Sequence, residues 1–148
     1  MTTLYKILLL LTLTLAAQTL YAQSSDQTTF SSKTLIGKKW TITKKVNGED
    51  MTYSLVFEKD SVTNTIVENG DVKVFRYAYY LSNVFPHIFD ESQVGMVSTG
   101  RWINFDRKDM IGGREKHDGG SMKIFSLTDK EFSFCNSPRY PLILTAEP

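Results

Sequence analysis

Apolar and polar positions alternate with a period of two through most of the chain. After Lys33, no window of eleven residues has a convincing helical period, and turn signals separate the alternating runs. Asn47-Gly48, Asp60-Ser61 and Asn69-Gly70 are connections too short for a parallel crossover. They predict an antiparallel meander of four strands, over Trp40–Val46, Met51–Lys59, Val62–Glu68 and Val72–Ser82.

The second half of the chain is less regular. Residues 83–100 contain Pro86, and we expect a loop with one short helical turn, then a strand around Val94–Ser98. Gly112-Gly113 and Gly119-Gly120 bracket a polar stretch that predicts a mobile loop at a barrel mouth. The remaining strands are predicted over Arg101–Asp106, Met122–Leu127, Glu131–Asn136 and Leu142–Thr145.

These elements predict an all-β fold of eight or nine antiparallel strands. Such a sheet either closes into an up-and-down barrel or forms an open sandwich with protected edges. Successive short connections favour the closed barrel. An eight-stranded barrel is just wide enough to be filled by side chains or to hold one small ligand. The sequence does not decide between a filled and a hollow interior.

The first 22 residues have the pattern of a signal peptide. Lys6 precedes an apolar run over Ile7–Ala17, and Leu20-Tyr21-Ala22 supplies the residues at the cleavage positions. The run is short for a membrane span, although an uncleaved anchor is the alternative. We therefore expect a secreted or periplasmic protein, with a polar flexible lead-in over residues 23–33 and a single domain over residues 34–148.

Charge and cysteine content exclude several classes of function. Lys6 is the only charged residue of the first 22, so the remaining chain carries 16 of the 17 Lys and Arg residues and all 16 acidic residues. This balance argues against a nucleic-acid partner and gives no support for binding to an anionic membrane surface. Cys135 is the single cysteine, which excludes an intramolecular disulfide and a zinc site of several thiolates. No cofactor is indicated.

Several short motifs resemble those of lipocalin-like domains. Leu35-Ile36-Gly37-Lys38-Lys39-Trp40 is similar to the start of such a domain, and Ile124 to Thr128 resembles the I-x-x-L-T turn of small secreted bacterial lipocalin-like proteins. The segments Leu55–Glu58 and Gly100–Ile103 are compatible with this family. The resemblance implies a closed barrel in which Trp40 plugs the floor, Arg139 packs over it, and the interior carries a ligand.

The strand over Val72–Ser82 holds the strongest candidates for ligand binding. Phe75, Tyr77 and Tyr79 alternate onto one face, which places two phenols inside the barrel if that face points inward. With Leu55 and Phe57 they form the predicted ligand-binding set. The alternative is that these aromatic side chains only fill the core. The first hypothesis is a non-enzymatic protein that binds a small apolar ligand.

No catalytic or metal-binding residues are predicted. His87 and His117 are the only histidines and lack a recognised ligand spacing, and there is neither a G-x-S-x-G motif nor a phosphate-binding loop. The alternative function is an interaction or inhibitor module with a filled core. Its loops over residues 83–98 and 107–121 would contact a cell-envelope or secreted protein.

Overall fold

The chain is described from a computed structural model that covers residues 28–135 and 141–147. A short helix, α1 (Ser32–Leu35), and a 3-10 turn, Glu91–Gln93, accompany ten strands. The strands are β1 (Phe30–Ser31), β2 (Lys39–Val46), β3 (Glu49–Phe57), β4 (Ser61–Glu68), β5 (Asp71–Ser82), β6 (Thr99–Gly100), β7 (Trp102–Ile111), β8 (Arg114–Leu127), β9 (Glu131–Cys135) and β10 (Leu142–Ala146).

Eight of these strands close into an antiparallel barrel, as the alternating pattern predicts. Their order around the barrel is β10-β2-β3-β4-β5-β7-β8-β9, and β10 closes it by pairing with β2 at Thr145–Thr41 and Ala146–Trp40. Each strand therefore pairs with the next barrel strand along the chain, and closure leaves this sheet without a free edge. The predicted all-β meander of eight or nine strands, closed into a barrel, is confirmed, with eight strands in the barrel.

Asn-Gly turns determine the register of two hairpins. Asn47 and Asn69 have φ of 53° and 55°, and the glycines that follow them have φ of 88° and 83°. Positive φ at both central positions is the geometry whose twist matches that of the flanking strands. The turns thus fix the pairing of Val46 with Glu49 and of Glu68 with Asp71.

The polar stretch after Gly113 is a strand, and the expectation of a loop over residues 107–121 is wrong. β7 and β8 pair continuously from Trp102–Lys123 to Ile111–Arg114, with Gly112-Gly113 as the turn. Residues 111–120 are exposed, so this arm of the hairpin lacks the apolar alternation of a strand that covers a core. Backbone hydrogen bonds and cross-strand polar contacts such as His117–Asp106, rather than a buried apolar face, accompany its extended form.

The chain is already ordered before the first barrel strand. Phe30 pairs with Gly100 in the small β1–β6 sheet, so the predicted lead-in does not extend to Lys33. The strand expected over Val94–Ser98 is also wrong, because only Thr99 and Gly100 pair, while the short helical turn is present. The predicted signal peptide lies outside the described residues. Among the described residues, none of the helices has the length and apolar composition needed to cross a membrane.

One end of the barrel is filled by a packed floor. Trp40 is fully buried, its indole N–H donates to the Leu35 carbonyl at 3.2 Å, and Phe132 packs edge-on at 5.7 Å. Lys38 lies over the indole, with Nζ 5.5 Å from the ring centroid. Trp40 therefore has the plugging position that the resemblance implies, whereas Arg139 lies outside the described residues. The α1 helix contributes Leu35 to this floor.

Candidate functional site

The barrel interior is filled at the floor and hollow above it. A half-open cavity of about 390 Å³ lies between the floor and the end of the barrel that carries the Asn-Gly turns. Its wall is formed mainly by inward-facing apolar side chains from both halves of the barrel. The lining residues are Ile42, Tyr53, Leu55, Val62, Asn64, Tyr77, Phe105, Asp118, Gly119, Gly120, Ser121, Met122, Phe134, Leu142 and Leu144.

Two of the five residues predicted to bind a ligand line this cavity. They are Leu55 on β3 and Tyr77 on β5. Phe57 and Tyr79 are the next inward-facing residues towards the floor, where they are 1% and 2% exposed and contact each other edge-on at 5.1 Å. Phe75 lies on the other side of Tyr77, towards the turns.

The hydroxyl of Tyr79 has its hydrogen-bond partner within the protein. Its hydroxyl donates to the backbone carbonyl of Glu58 at 2.9 Å, at the turn that joins β3 to β4. Burial of the phenol, together with the charge of Asp60, raises the pKa of Tyr79 to about 12. Its hydroxyl therefore ties the floor to a turn, and Tyr79 is part of the packed core below the cavity.

Three polar side chains, which we call the polar stripe, interrupt the apolar wall on adjacent strands. They are Tyr53 on β3, Asn64 on β4 and Tyr77 on β5. Asn64 pairs with Leu55 and with Phe75, so each tyrosine is a diagonal neighbour, two residues along from a direct partner. Such diagonal neighbours are about 7–8 Å apart. The Asn64 Oδ1 atom is buried and has no hydrogen-bond partner among the described residues.

An arginine held by two carboxylates lies beside the polar stripe. The Arg107 guanidinium is 4.8 Å from the ring centroid of Phe75 and 5.4 Å from that of Tyr77. Its Nη2 lies 2.7 Å from Asp109 Oδ2 and 3.1 Å from Asp118 Oδ2. Burial raises the pKa of Tyr77, against a smaller lowering by Arg107. The positive charge of Arg107 is therefore already compensated by its own neighbours.

The sequence does not identify the apolar wall that adjoins the polar stripe at Tyr77. Phe105 on β7 and Phe134 on β9 face each other there, with ring centroids 6.5 Å apart. Gly120 pairs with Phe105, and a Cβ at Gly120 would meet no atom within 4 Å. The alternation in Met122–Leu127 was available as a signal for Met122. Gly119-Gly120, however, has the sequence pattern of the end of a loop.

The segment over residues 83–98 covers the outer face of β5 and β7. Phe89 packs on Tyr80 with ring centroids 5.1 Å apart, and Phe85 packs edge-on against Trp102 at 5.0 Å. The hydroxyl of Tyr80 accepts a hydrogen bond from the backbone N–H of Asp90 at 3.2 Å. These contacts hold the segment outside the barrel, away from the cavity.

The two histidines have different surroundings. His117 is hydrogen-bonded to Asp106 and Glu115 on the outer face, whereas His87 is exposed and contacts Phe85 with ring centroids 6.3 Å apart. Over residues 28–135 and 141–147, no group of three or more His, Cys, Asp or Glu side chains is placed to hold a metal ion.

The fold and the cavity together define a class: a closed eight-stranded antiparallel barrel with a half-open, largely apolar interior. A β-barrel of this kind is consistent with a binding protein. Comparison of the chain with protein-family models, with curated proteins and with solved structures finds no match.

Proposed function

We propose that this chain is a non-enzymatic, lipocalin-like binding protein that holds one small apolar or amphipathic molecule inside its barrel. The observation that carries the proposal is the cavity above a sealed floor. Its predicted signal peptide makes a secreted or periplasmic location part of the same proposal.

The size and lining of the cavity support a single small ligand. Its volume of about 390 Å³ lies in the lower part of the range of about 300–1,000 Å³ that is usual for small-molecule sites. Side chains such as Leu55, Phe105 and Leu144 offer apolar surface that is removed from water when a ligand enters. A few polar groups in an apolar wall are typical of sites that fix the orientation of a ligand.

Filling the cavity tests this proposal directly. Gly120→Phe directs a ring into open space inside the barrel, whereas Val74→Phe adds the same ring on the outer face of β5, where Val74 is 60% exposed. We expect the neutral fluorescent probe N-phenylnaphthylamine to bind the parent protein and Val74→Phe equally. Binding by Gly120→Phe should be at least about tenfold weaker.

Two outcomes of this titration would contradict the proposal. One is the absence of probe binding to the parent protein, and the other is unchanged binding by Gly120→Phe. Circular dichroism and an unfolding curve for each variant establish that the barrel is intact, so that lost binding reports the cavity itself.

A second candidate function is an interaction module that acts through residues 83–98. Exposed apolar side chains favour it, since Val84 is 77% and Ile88 is 85% exposed on this segment. The filled interior expected for such a module does not fit the cavity. The double variant Val84→Ser, Ile88→Ser should abolish capture of a secreted or cell-envelope protein and leave probe binding unchanged. Capture that survives the double variant would contradict this candidate.

A further inference from the structure

Three of the polar side chains that line the cavity lie together on one side of it. Tyr53, Asn64 and Tyr77 follow a diagonal across three adjacent strands, whereas Phe105, Met122 and Phe134 form an apolar wall on β7, β8 and β9. This wall meets the polar stripe at Tyr77, whose ring centroid is 6.3 Å from that of Phe105. The inner surface is therefore amphipathic, with a hydrogen-bonding stripe on β3–β5 beside an apolar wall on β7–β9, to which Asp118 of β8 adds one carboxylate. A molecule that fits it must have the same two sides.

Asn64 is the group in this stripe with an unmet requirement. Its Oδ1 is buried and has no hydrogen-bond partner among residues 28–135 and 141–147. A buried carbonyl without a partner costs free energy, because the hydrogen bonds that it makes to water in the unfolded chain are not replaced. A side-chain amide can also turn by half a rotation and offer its N–H groups instead. Asn64 can therefore pair with a donor or with an acceptor on a bound molecule.

The charges around the cavity oppose an anionic ligand. Of the lining residues, only Asp118 carries a formal charge at neutral pH, and that charge is negative. Arg107 is the cation that contacts the ring of Tyr77, and Asp109 and Asp118 both hold it, at 2.7 and 3.1 Å. A ligand carboxylate at the polar stripe would find this cation already paired, and burial of an unpaired charge is strongly unfavourable.

We infer that the cavity takes a neutral ring compound with one hydrogen-bonding edge, which it presents to Asn64 between Tyr53 and Tyr77. This inference rests on the proposed function, and it names the chemical class of the ligand. The apolar body of the compound lies against Phe105 and Phe134, and its polar edge faces the polar stripe.

Three probes of one shape separate this class from its alternatives. Naphthalene has no polar edge, 2-naphthol has a neutral hydroxyl, and 2-naphthoate has a charge at neutral pH. Calorimetry with the parent protein should give binding at least about fivefold tighter for 2-naphthol than for naphthalene, since one hydrogen bond contributes about 1 kcal/mol. The weakest binding is expected for 2-naphthoate. A purely apolar cavity would show the reverse order for the two neutral probes, since naphthalene is the less soluble in water.

Variants on one strand assign the preference to Asn64. Asn64→Leu should bring the ratio of the two neutral affinities to about one or below, because the partner of the hydroxyl is gone. Thr65→Val removes a polar group from the outer face of the same strand and should leave the ratio unchanged. In the parent protein, the side-chain amide resonance of Asn64 should shift with 2-naphthol and much less with naphthalene.

The inference and the proposed function fail in different ways. Naphthalene binding as tight as 2-naphthol, tighter binding of 2-naphthoate, or a ratio unchanged in Asn64→Leu would overturn the inference. So would the absence of binding by all three probes. In each of these cases the proposed function would still be supported if N-phenylnaphthylamine binds the parent protein but does not bind Gly120→Phe. Absence of binding by every probe would overturn both.

Discussion

Nδ1 of His117 lies 2.8 Å from Oδ2 of Asp106, across the β7–β8 pair on the outer face of the barrel. Nε2 of the same ring lies 3.0 Å from Glu115 Oε1. Lys108, the cross-strand neighbour of His117, forms an ion pair with Glu91 of the 3-10 turn. This group therefore links the β7–β8 hairpin to the segment that covers the outer face.

The contribution of His117 to stability should depend on pH. Its hydrogen bond to Asp106 and the charges of Asp106 and Glu115 raise the pKa of His117 above 6.5, against a lowering by burial. The folded state then holds the proton more tightly than the unfolded state, so the stabilisation is complete below pH 6.5 and is lost as pH rises through the folded pKa. Urea unfolding should show a larger difference between the parent protein and His117→Gln at about pH 5.5 than at about pH 8.5.

His87→Gln is the matched control for this titration, because His87 is exposed and its ring lies against that of Phe85. It should change stability little at either pH. A difference between the parent protein and His117→Gln that grows as pH rises would show that the interaction favours the neutral ring, contrary to this expectation.

Two adjacent glycines should respond oppositely to an added methyl group. A Cβ at Gly119 would collide with the backbone carbonyl oxygen of Phe105, whereas a Cβ at Gly120 points into the open cavity. We expect Gly119→Ala to lower the free energy of unfolding by about 1–3 kcal/mol, because backbone must move to relieve the overlap. Gly120→Ala should be close to neutral. Denaturant unfolding of the two variants measures both values, and equal losses would contradict the assignment of faces on β8.

The hydroxyl of Tyr79 should matter for stability more than that of Tyr77. Tyr79→Phe removes the donor that lies 2.9 Å from the Glu58 carbonyl at the part-buried β3–β4 turn, so we expect a loss of about 1 kcal/mol. Tyr77→Phe should change stability little and act on ligand binding instead. Chemical unfolding and probe titration on the same two proteins check both parts. A larger stability loss in Tyr77→Phe would contradict the division between floor and cavity.

Asn64 should lower the stability of the empty protein. Asn64→Leu removes the buried, unpaired carbonyl and offers apolar contacts in its place, so we expect an increase of about 1 kcal/mol in the free energy of unfolding. The control is Asn104→Leu, in which two hydrogen bonds are lost: Asn104 also has a buried Oδ1 without a partner among the described residues, but its Nδ2 donates to Ser82 Oγ at 2.9 Å and to the Tyr80 carbonyl at 3.3 Å. That control should lose stability. A marked loss in Asn64→Leu would mean that the amide is structurally satisfied.

Local signals were enough to predict the barrel. Alternation with a period of two predicts which side chains share a face of a strand. Asn47-Gly48 and Asn69-Gly70 predict where the chain reverses. Both are properties of neighbouring residues, so they can be read along the chain. The strands of the β7–β8 arm were not predicted, because the side chains of residues 111–120 are exposed on both faces. Without a buried face the sequence shows no apolar alternation there, although the backbone pairs continuously.

The position of the cavity was decided by the tertiary structure alone. Leu55 and Phe57 share one face of β3, yet Leu55 lines the cavity and Phe57 is sealed in the floor beside Phe132, with ring centroids 5.9 Å apart. Strand periodicity determines the face of a side chain but not which side chains approach it from the opposite wall. The contacts between opposite walls depend on barrel closure and on the α1 helix at the floor, which bring together residues distant in sequence. The sequence by itself determined the sheet and its inner face, and three-dimensional packing decided where that interior is left open.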